Sequence, residues 1–310
     1  MAIREIEFPS YNGRDTIKGW CYSPITEPKA IVQIVHGLGE HSRRYLHMIG
    51  KMLEAGFVVC ADDHVGHGKT AHDGNTWGDL GQSGYMTTAE DEHTLRKKVQ
   101  EEYPDIPYFM YGHSWGSVIA RVYAAHYAEG MAGLIICGAP ADNESFLSIL
   151  EDMQPYIDQG KDNEVVVEFI MSAFAGLTDR YEDVKSPNDW IAKEEAVVAD
   201  HGRDPFNNLT APMNVRLLYD FGQALQSIQG TQWAEKLPKD LPIYNISGDM
   251  DPIGQFGEGT YKITRWLYET GHKKVITKVY SGFRHEIHNE PPIRDEVEEG
   301  LIQFVKDCIE

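Results

Sequence analysis

Cysteine is scarce in this sequence. Of 310 residues only four are cysteine, Cys21, Cys60, Cys137 and Cys308, and no two form a C-x-x-C pair. That pattern excludes a disulfide framework and a cysteine-built zinc site, so reduced, mostly buried thiols in a cytoplasmic protein are expected. Positive charge is also short, with 28 Lys and Arg against 48 Asp and Glu, a net charge of −20. Such a surface repels phosphate backbones and anionic bilayers, so nucleic acid is not an expected partner; only transient contact with neutral lipid stays open. No apolar run approaches the ~20 residues that a membrane span needs. Residues 1–7 carry no apolar signal core, so secretion is not expected, and the Asn143 and Asn208 sequons would matter only in a secreted chain. Composition is otherwise that of a globular protein, 42% hydrophobic and 25% charged.

What the chain does have is alternation. Strands are predicted over 3–8 and 15–22, joined through Asn12-Gly13, and over 30–35, 57–61, 106–111, 131–137, 242–247 and 274–280. Helical spacing falls between them, over 43–55, 88–103, 115–128, 259–270 and a final stripe through Val297, Leu301, Phe304, Val305 and Cys308. Short apolar strands alternating with helices predict an α/β fold, a mostly parallel central sheet with helices on both faces. The stretch 141–237 breaks the pattern. It reads as helices over 163–175, 190–199 and 213–228, a helical cap inserted between core halves 1–140 and 238–310. The first of these helices is apolar on more than one face, and the surplus is expected to wall a channel.

The most specific motif is Gly112-His113-Ser114-Trp115-Gly116, a G-x-S-x-G between a predicted strand and a predicted helix. A sharp strand-to-helix turn strains the serine backbone and leaves room only for hydrogen on either side. A serine hydroxyl then needs a base, and the base an orienting carboxylate, in the chain order Ser, Asp, His. Asp251 follows the strand over 242–247 and His285 follows that over 274–280. Asp249 and His288 are the rivals. Asp249 adjoins Gly248 and reads as part of the turn, while His285 ends its loop directly. An oxyanion hole needs two N–H groups, and the loop after strand 30–35, His36-Gly37-Leu38-Gly39-Glu40-His41, offers that of Leu38 beside that of Trp115.

Other constellations fail a chemical test. His285-Glu286-Ile287-His288 is one residue short of H-E-x-x-H. Asp249-Met250-Asp251 opens like a calcium loop, but Ile253 and Thr260 stand where oxygen ligands are required. No phosphate-binding glycine loop follows a strand. No metal and no cofactor is expected.

Three segments resemble the monoacylglycerol lipase and lysophospholipase-like branch of the α/β-hydrolases, grouped with the serine aminopeptidase-like hydrolases. They are His36 through Tyr45, Asp63-His-Val-Gly-His-Gly68, and Gly112 through Ser117; the run from Tyr280 to Glu290 is similar to that family's histidine loop. The resemblance implies an α/β-hydrolase fold with a cap, Ser114, Asp251 and His285 as catalytic residues, and Leu38 and Trp115 as the oxyanion hole. Residue 115 is usually methionine in that branch. Tryptophan keeps the N–H and narrows the acyl pocket. The expected activity is ester hydrolysis through an acyl-enzyme on monoacylglycerol or lysophospholipid. A short-chain carboxylesterase, an aminopeptidase-like amidase and a non-catalytic ligand sensor of the same fold are the alternatives.

Overall fold

The computed structural model describes residues 2–142, 144–207, 209 and 212–310; Asn143 and Asn208 of the two sequons lie outside the described residues. The chain begins with strands β1 (Ala2–Pro9), β2 (Thr16–Ser23) and β3 (Ala30–Val35). A 3₁₀ turn (Ser42–Tyr45) leads into helix α1 (Leu46–Glu54), then β4 (Phe57–Asp63), α2 (Gly68–Gly74), α3 (Met86–Glu102), β5 (Tyr108–His113), α4 (Trp115–Tyr127) and β6 (Met131–Cys137). Five helices follow: α5 (Glu144–Asp158), α6 (Val167–Ala173), α7 (Glu195–Arg203), α8 (Val215–Ser227) and α9 (Gly230–Ala234). The chain closes with β7 (Ile243–Gly248), α10 (Glu258–Glu269), β8 (Val275–Tyr280) and α11 (Arg294–Ile309).

The strands form one eight-stranded sheet in the order β1-β2-β4-β3-β5-β6-β7-β8. The first two pairings are antiparallel, and all pairings from β4 to β8 are parallel. The side-chain period of two divides the strands between two cores. Tyr108 and Met110 of β5 join the layer under α3, α4 and α10, while Phe109 and Tyr111 join the layer under α1 and α11. Central strands buried on both faces read as continuous apolar runs, which is why β3 and β4 carried no alternation in the sequence. Among the described residues no helix is both long and apolar enough to cross a membrane.

The stretch between β6 and β7 departs from expectation in three places. Helix α6 is only seven residues long, none of them buried, and Val165, Val167 and Met171 are exposed at 46%, 57% and 69%. The helix predicted over 190–199 begins only at Glu195, because the backbone before it is engaged elsewhere. The carbonyls of Trp190 and Ile191 accept from the N–H groups of His285 (3.4 Å) and Glu286 (2.7 Å), and the N–H groups of Lys193 and Glu194 donate to the Glu290 carboxylate. Carbonyls and amides committed to another segment cannot close helical turns. Helices α5 and α9 there were not anticipated, and neither was α2, which lies outside that stretch between β4 and α3. Helix α2 is short and glycine-bounded, and it relies on Asp63, whose carboxylate accepts from Lys69 N–H at 2.7 Å.

Candidate active site

Strand β5 delivers Ser114 into the turn before α4 with φ 54° and ψ −120°, a conformation costly for any residue with a side chain. The flanking glycines make this turn possible. A Cβ on Gly116 would lie 2.0 Å from the Val35 carbonyl oxygen, and one on Gly112 would lie 2.3 Å from that of Gly116. Ser114 N–H is anchored on the Cys137 carbonyl at 2.9 Å. Trp115 is the first residue of α4, so its N–H has no intrahelical acceptor, and the positive end of the helix dipole lies at the serine.

The ends of β7 and β8 bring Asp251 and His285 together. His285 Nδ1 lies 2.9 Å from Asp251 Oδ1, which also accepts from Ile253 N–H at 2.9 Å. His285 Nε2 is buried and has no hydrogen-bond partner, as is Asp251 Oδ2. Burial pulls the His285 pKa down, but the charge of Asp251 and the hydrogen bond to it prevail and hold it above the ordinary histidine value. The rival aspartate does other work. Asp249 accepts from Ser281 Oγ (2.7 Å) and Gly282 N–H (2.6 Å), tying the chain after β7 to the turn after β8. His288 stacks on Tyr45 at 4.9 Å, and burial, followed by the nearby His113, lowers its pKa to about 3, so it is a neutral packing group.

The loop after β3 is braced by a carboxylate that sequence reasoning passed over. Glu40 Oε1 accepts from Gly37 N–H (2.6 Å) and Tyr45 Oη–H (2.7 Å) and lies 3.2 Å from His113 Nδ1. Its other oxygen accepts from Arg44 at 2.8 Å, and Arg44 also donates to both oxygens of Glu286, at 2.5 and 2.8 Å. Burial raises the Glu286 pKa, but the Arg44 charge overrides it and brings it to about 2. This buried chain ties the loop bearing Leu38 to the loop bearing His285. The signal was present as Glu40 and Arg44 four residues apart and Glu286 beside His285, but nothing in one dimension pairs them.

Ser114, Leu38 and Trp115 line a cavity whose remaining walls are apolar, including Ala173, Phe174, Leu209, Leu218, Phe221, Leu225 and Ile253. Phe169 is not in that wall; it packs edge-on against Tyr156 with ring centroids 5.5 Å apart. A smaller polar recess adjoins it, lined by Leu38, Ser114 and His285 together with Glu40, His113, His201 and Glu286. A serine, an imidazole whose free nitrogen has no partner, and N–H groups at a helix start are the groups that acyl transfer requires. Among the described residues three clusters have ligand atoms close enough to share a metal: Asp62 with His64 and Glu92, His113 with Cys137 and His288, and His47 with Asp295 and Glu298. In the second, burial holds the Cys137 thiol protonated, and in the third Lys51 lies 3.7 Å from Asp295, so neither donor set favours a cation.

Residues 26–292 match the family model described as serine aminopeptidase, S33. Human monoglyceride lipase is 32% identical over 283 residues, covering 87% of this chain and 80% of that protein. The monoacylglycerol lipase of Mycolicibacterium smegmatis is 27% identical, covering 87% and 86%. Among solved structures, a carboxyl esterase from Bacillus coagulans in complex with glycerol superposes with a TM-score of 0.98 at 57% identity over all of both chains. A monoglyceride lipase from Saccharomyces cerevisiae, in complex with a substrate analog, superposes with a TM-score of 0.73 at 20% identity, covering 99% and 95%. The architecture is the α/β-hydrolase fold.

Proposed function

The chain belongs to the serine aminopeptidase S33 family and is a carboxylic ester hydrolase, and we propose on that premise that it cleaves monoacylglycerol by two-step acyl transfer at Ser114. The observation that carries this reading is the 2.9 Å pairing of Asp251 with His285, whose unpartnered Nε2 belongs to the same recess as Ser114. In the proposed mechanism, His285 Nε2 takes the Ser114 proton while Asp251 holds the tautomer and offsets the imidazolium charge. Ser114 Oγ attacks the ester carbonyl. The N–H groups of Leu38 and Trp115 stabilise the oxyanion. The proton then passes to the leaving alcohol, and water, activated by the same imidazole, frees the acid.

Residues 141–237 act in this reading as a cap. Phe174, Leu209, Leu218, Phe221 and Leu225 all come from it and roof the apolar cavity, which suits a hydrocarbon chain, while the polar recess suits a hydroxylated alcohol. Four free cysteines, three of them buried, favour a cytoplasmic protein whose lipid contact is transient. A second reading, a carboxylesterase of broader alcohol choice, is favoured by the 57%-identical carboxyl esterase. A panel of nitrophenyl esters alongside monoacylglycerols decides between them. Preference for eight or more carbons and for glycerol over methyl esters of the same acid supports the first. A peak at two to four carbons overturns it in favour of the second, and no turnover would leave a ligand sensor.

A further inference from the structure

Behind the loop that carries Leu38 lies a buried chain of titratable groups that acyl transfer does not use. His36 and His64 stack with ring centroids 3.7 Å apart and planes within 17°. His64 Nδ1 lies 3.2 Å from Asp62 Oδ1 and 3.3 Å from Glu92 Oε1. All four side chains are at most 2% exposed.

Hydrogen-bond accounting fixes the protons. The backbone N–H of His64 can only donate, and it points at His36 Nε2 from 3.1 Å. His36 Nε2 therefore accepts, its proton sits on Nδ1, and Nδ1–H donates to the Gly37 carbonyl at 2.8 Å. Burial, then the neighbouring His64 and His67, keep the His36 pKa well below the ordinary value, so the ring is neutral. His64 Nε2 lies 3.2 Å from the His36 carbonyl, which only accepts, so Nε2 carries a proton and Nδ1 faces the two carboxyl groups. Gln33 settles the Glu92 side. Its Oε1 accepts from Tyr108 Oη–H at 2.9 Å, so its Nε2 donates to Glu92 Oε2. Glu92 Oε1, together with both Asp62 oxygens, has no hydrogen-bond partner of standard geometry. Two carboxylates this close to one imidazole nitrogen cannot both be ionised beside a neutral ring, so the trio holds a proton. Burial and then the Asp62 charge push the Glu92 carboxyl well above the carboxylate range and place that proton on Glu92.

The consequence reaches the Leu38 N–H. The Gly37 carbonyl and the Leu38 N–H belong to one planar peptide unit and point in opposite directions. Fixing the carbonyl on His36 therefore fixes where the N–H aims. The other side of Gly37 approaches the serine, since a Cβ there would lie 3.2 Å from Ser114 Cβ. We propose that Asp62, His64 and Glu92 form a proton-sharing buried trio that, through the stacked His36, orients the Gly37–Leu38 peptide as an oxyanion donor. They are positioning residues and touch no substrate. The proposal rests on the reading of Ser114 and Leu38 given above.

Glu92→Leu and Glu92→Gln test it in the full-length protein. The glutamine amide can accept from Gln33 and donate to His64, as the protonated acid does. Glu92→Leu is expected to lower kcat about 10- to 100-fold with KM within about twofold, because an oxyanion donor acts on the transition state. Glu92→Gln is expected to restore at least about a third of wild-type kcat, as an amide that reproduces both hydrogen bonds should. Wild-type kcat in the leucine variant, or equal losses in both, overturns the proposal. Should the leucine variant not fold, ¹⁵N NMR of the histidine rings in the wild-type protein decides, a neutral His36 protonated at Nδ1 supporting the relay and one protonated at Nε2 sinking it. Fluorophosphonate labelling of wild-type Ser114 tests the underlying reading separately, since its failure removes the nucleophile without touching the His36 tautomer.

Discussion

Gly138 lies so close to His285 that a methyl group in its place would press on the imidazole ring. A Cβ on Gly138 would sit 3.1 Å from both Cε1 and Nδ1 of His285 and 3.3 Å from Asp251 Oδ2, and Gly138 also has φ 57°. The residue after β6 thus serves as the back wall of the imidazole. Gly138→Ala should destabilise the fold by about 1–2 kcal/mol through the left-handed backbone alone. It should also lower kcat by about 10-fold or more by displacing the ring. Denaturant melts and ester kinetics on the same preparation measure both, and unchanged kcat would show that the ring tolerates the push.

Ser114→Ala should abolish ester turnover while leaving the melting temperature within about 2 °C of wild type, since the serine side chain does not pack the core. A fluorophosphonate probe should label the wild-type protein once and the variant not at all. Label that persists in the variant would move the nucleophile elsewhere.

The two aspartates at the end of β7 separate cleanly. Asp251→Asn should cut kcat by about 10⁴, because an amide facing His285 Nδ1 favours the wrong tautomer. Asp249→Asn weakens only the turn through Ser281 and Gly282 and should change kcat less than about threefold. The opposite ranking would reassign the orienting acid.

The pH profile follows from the raised His285 pKa. The base must be neutral, so kcat/KM should rise with pH through a midpoint above the ordinary histidine value. Asp251→Asn removes the charge responsible, and its residual activity should titrate at lower pH. For stability the sign is reversed. A folded-state pKa above the unfolded one stabilises the fold fully below the unfolded pKa, and that contribution is lost as pH rises through the folded pKa. A midpoint that does not move in Asp251→Asn would mean another group governs the profile.

The cavity wall assigns different outcomes to the two phenylalanines Phe169 and Phe174 of the predicted helix 163–175. Phe174 lines the space beside Ser114, whereas Phe169 faces Tyr156. Phe174→Asp should raise KM for ten-carbon esters far more than for acetate esters, each buried methylene being worth ~0.8 kcal/mol. Phe169→Asp should leave the chain-length ratio within about twofold and act through stability instead. Equal penalties on long and short esters in Phe174→Asp would remove that residue from the acyl path.

The sequence by itself determined the layer architecture and the position of Ser114 in the chain. Both are written locally: a strand buried on two faces needs an apolar run, and a strained turn between strand and helix admits only hydrogen at Gly112 and Gly116. The candidates Leu38, Trp115, Asp251 and His285 were legible for the same reason, as each follows directly on a strand that the pattern marks. Tertiary structure alone decided the rest. The helix expected over 190–199 gave way because Glu290 and the His285 loop take its backbone groups, and of the stretch 163–175 only Val167–Ala173 closes into a helix. The links from Arg44 to Glu286 and from His64 to Glu92 join buried polar groups that lie far apart in sequence. A buried charge is stable only against a specific partner, and the partner is chosen by the packing of the sheet, which no local pattern of residues records.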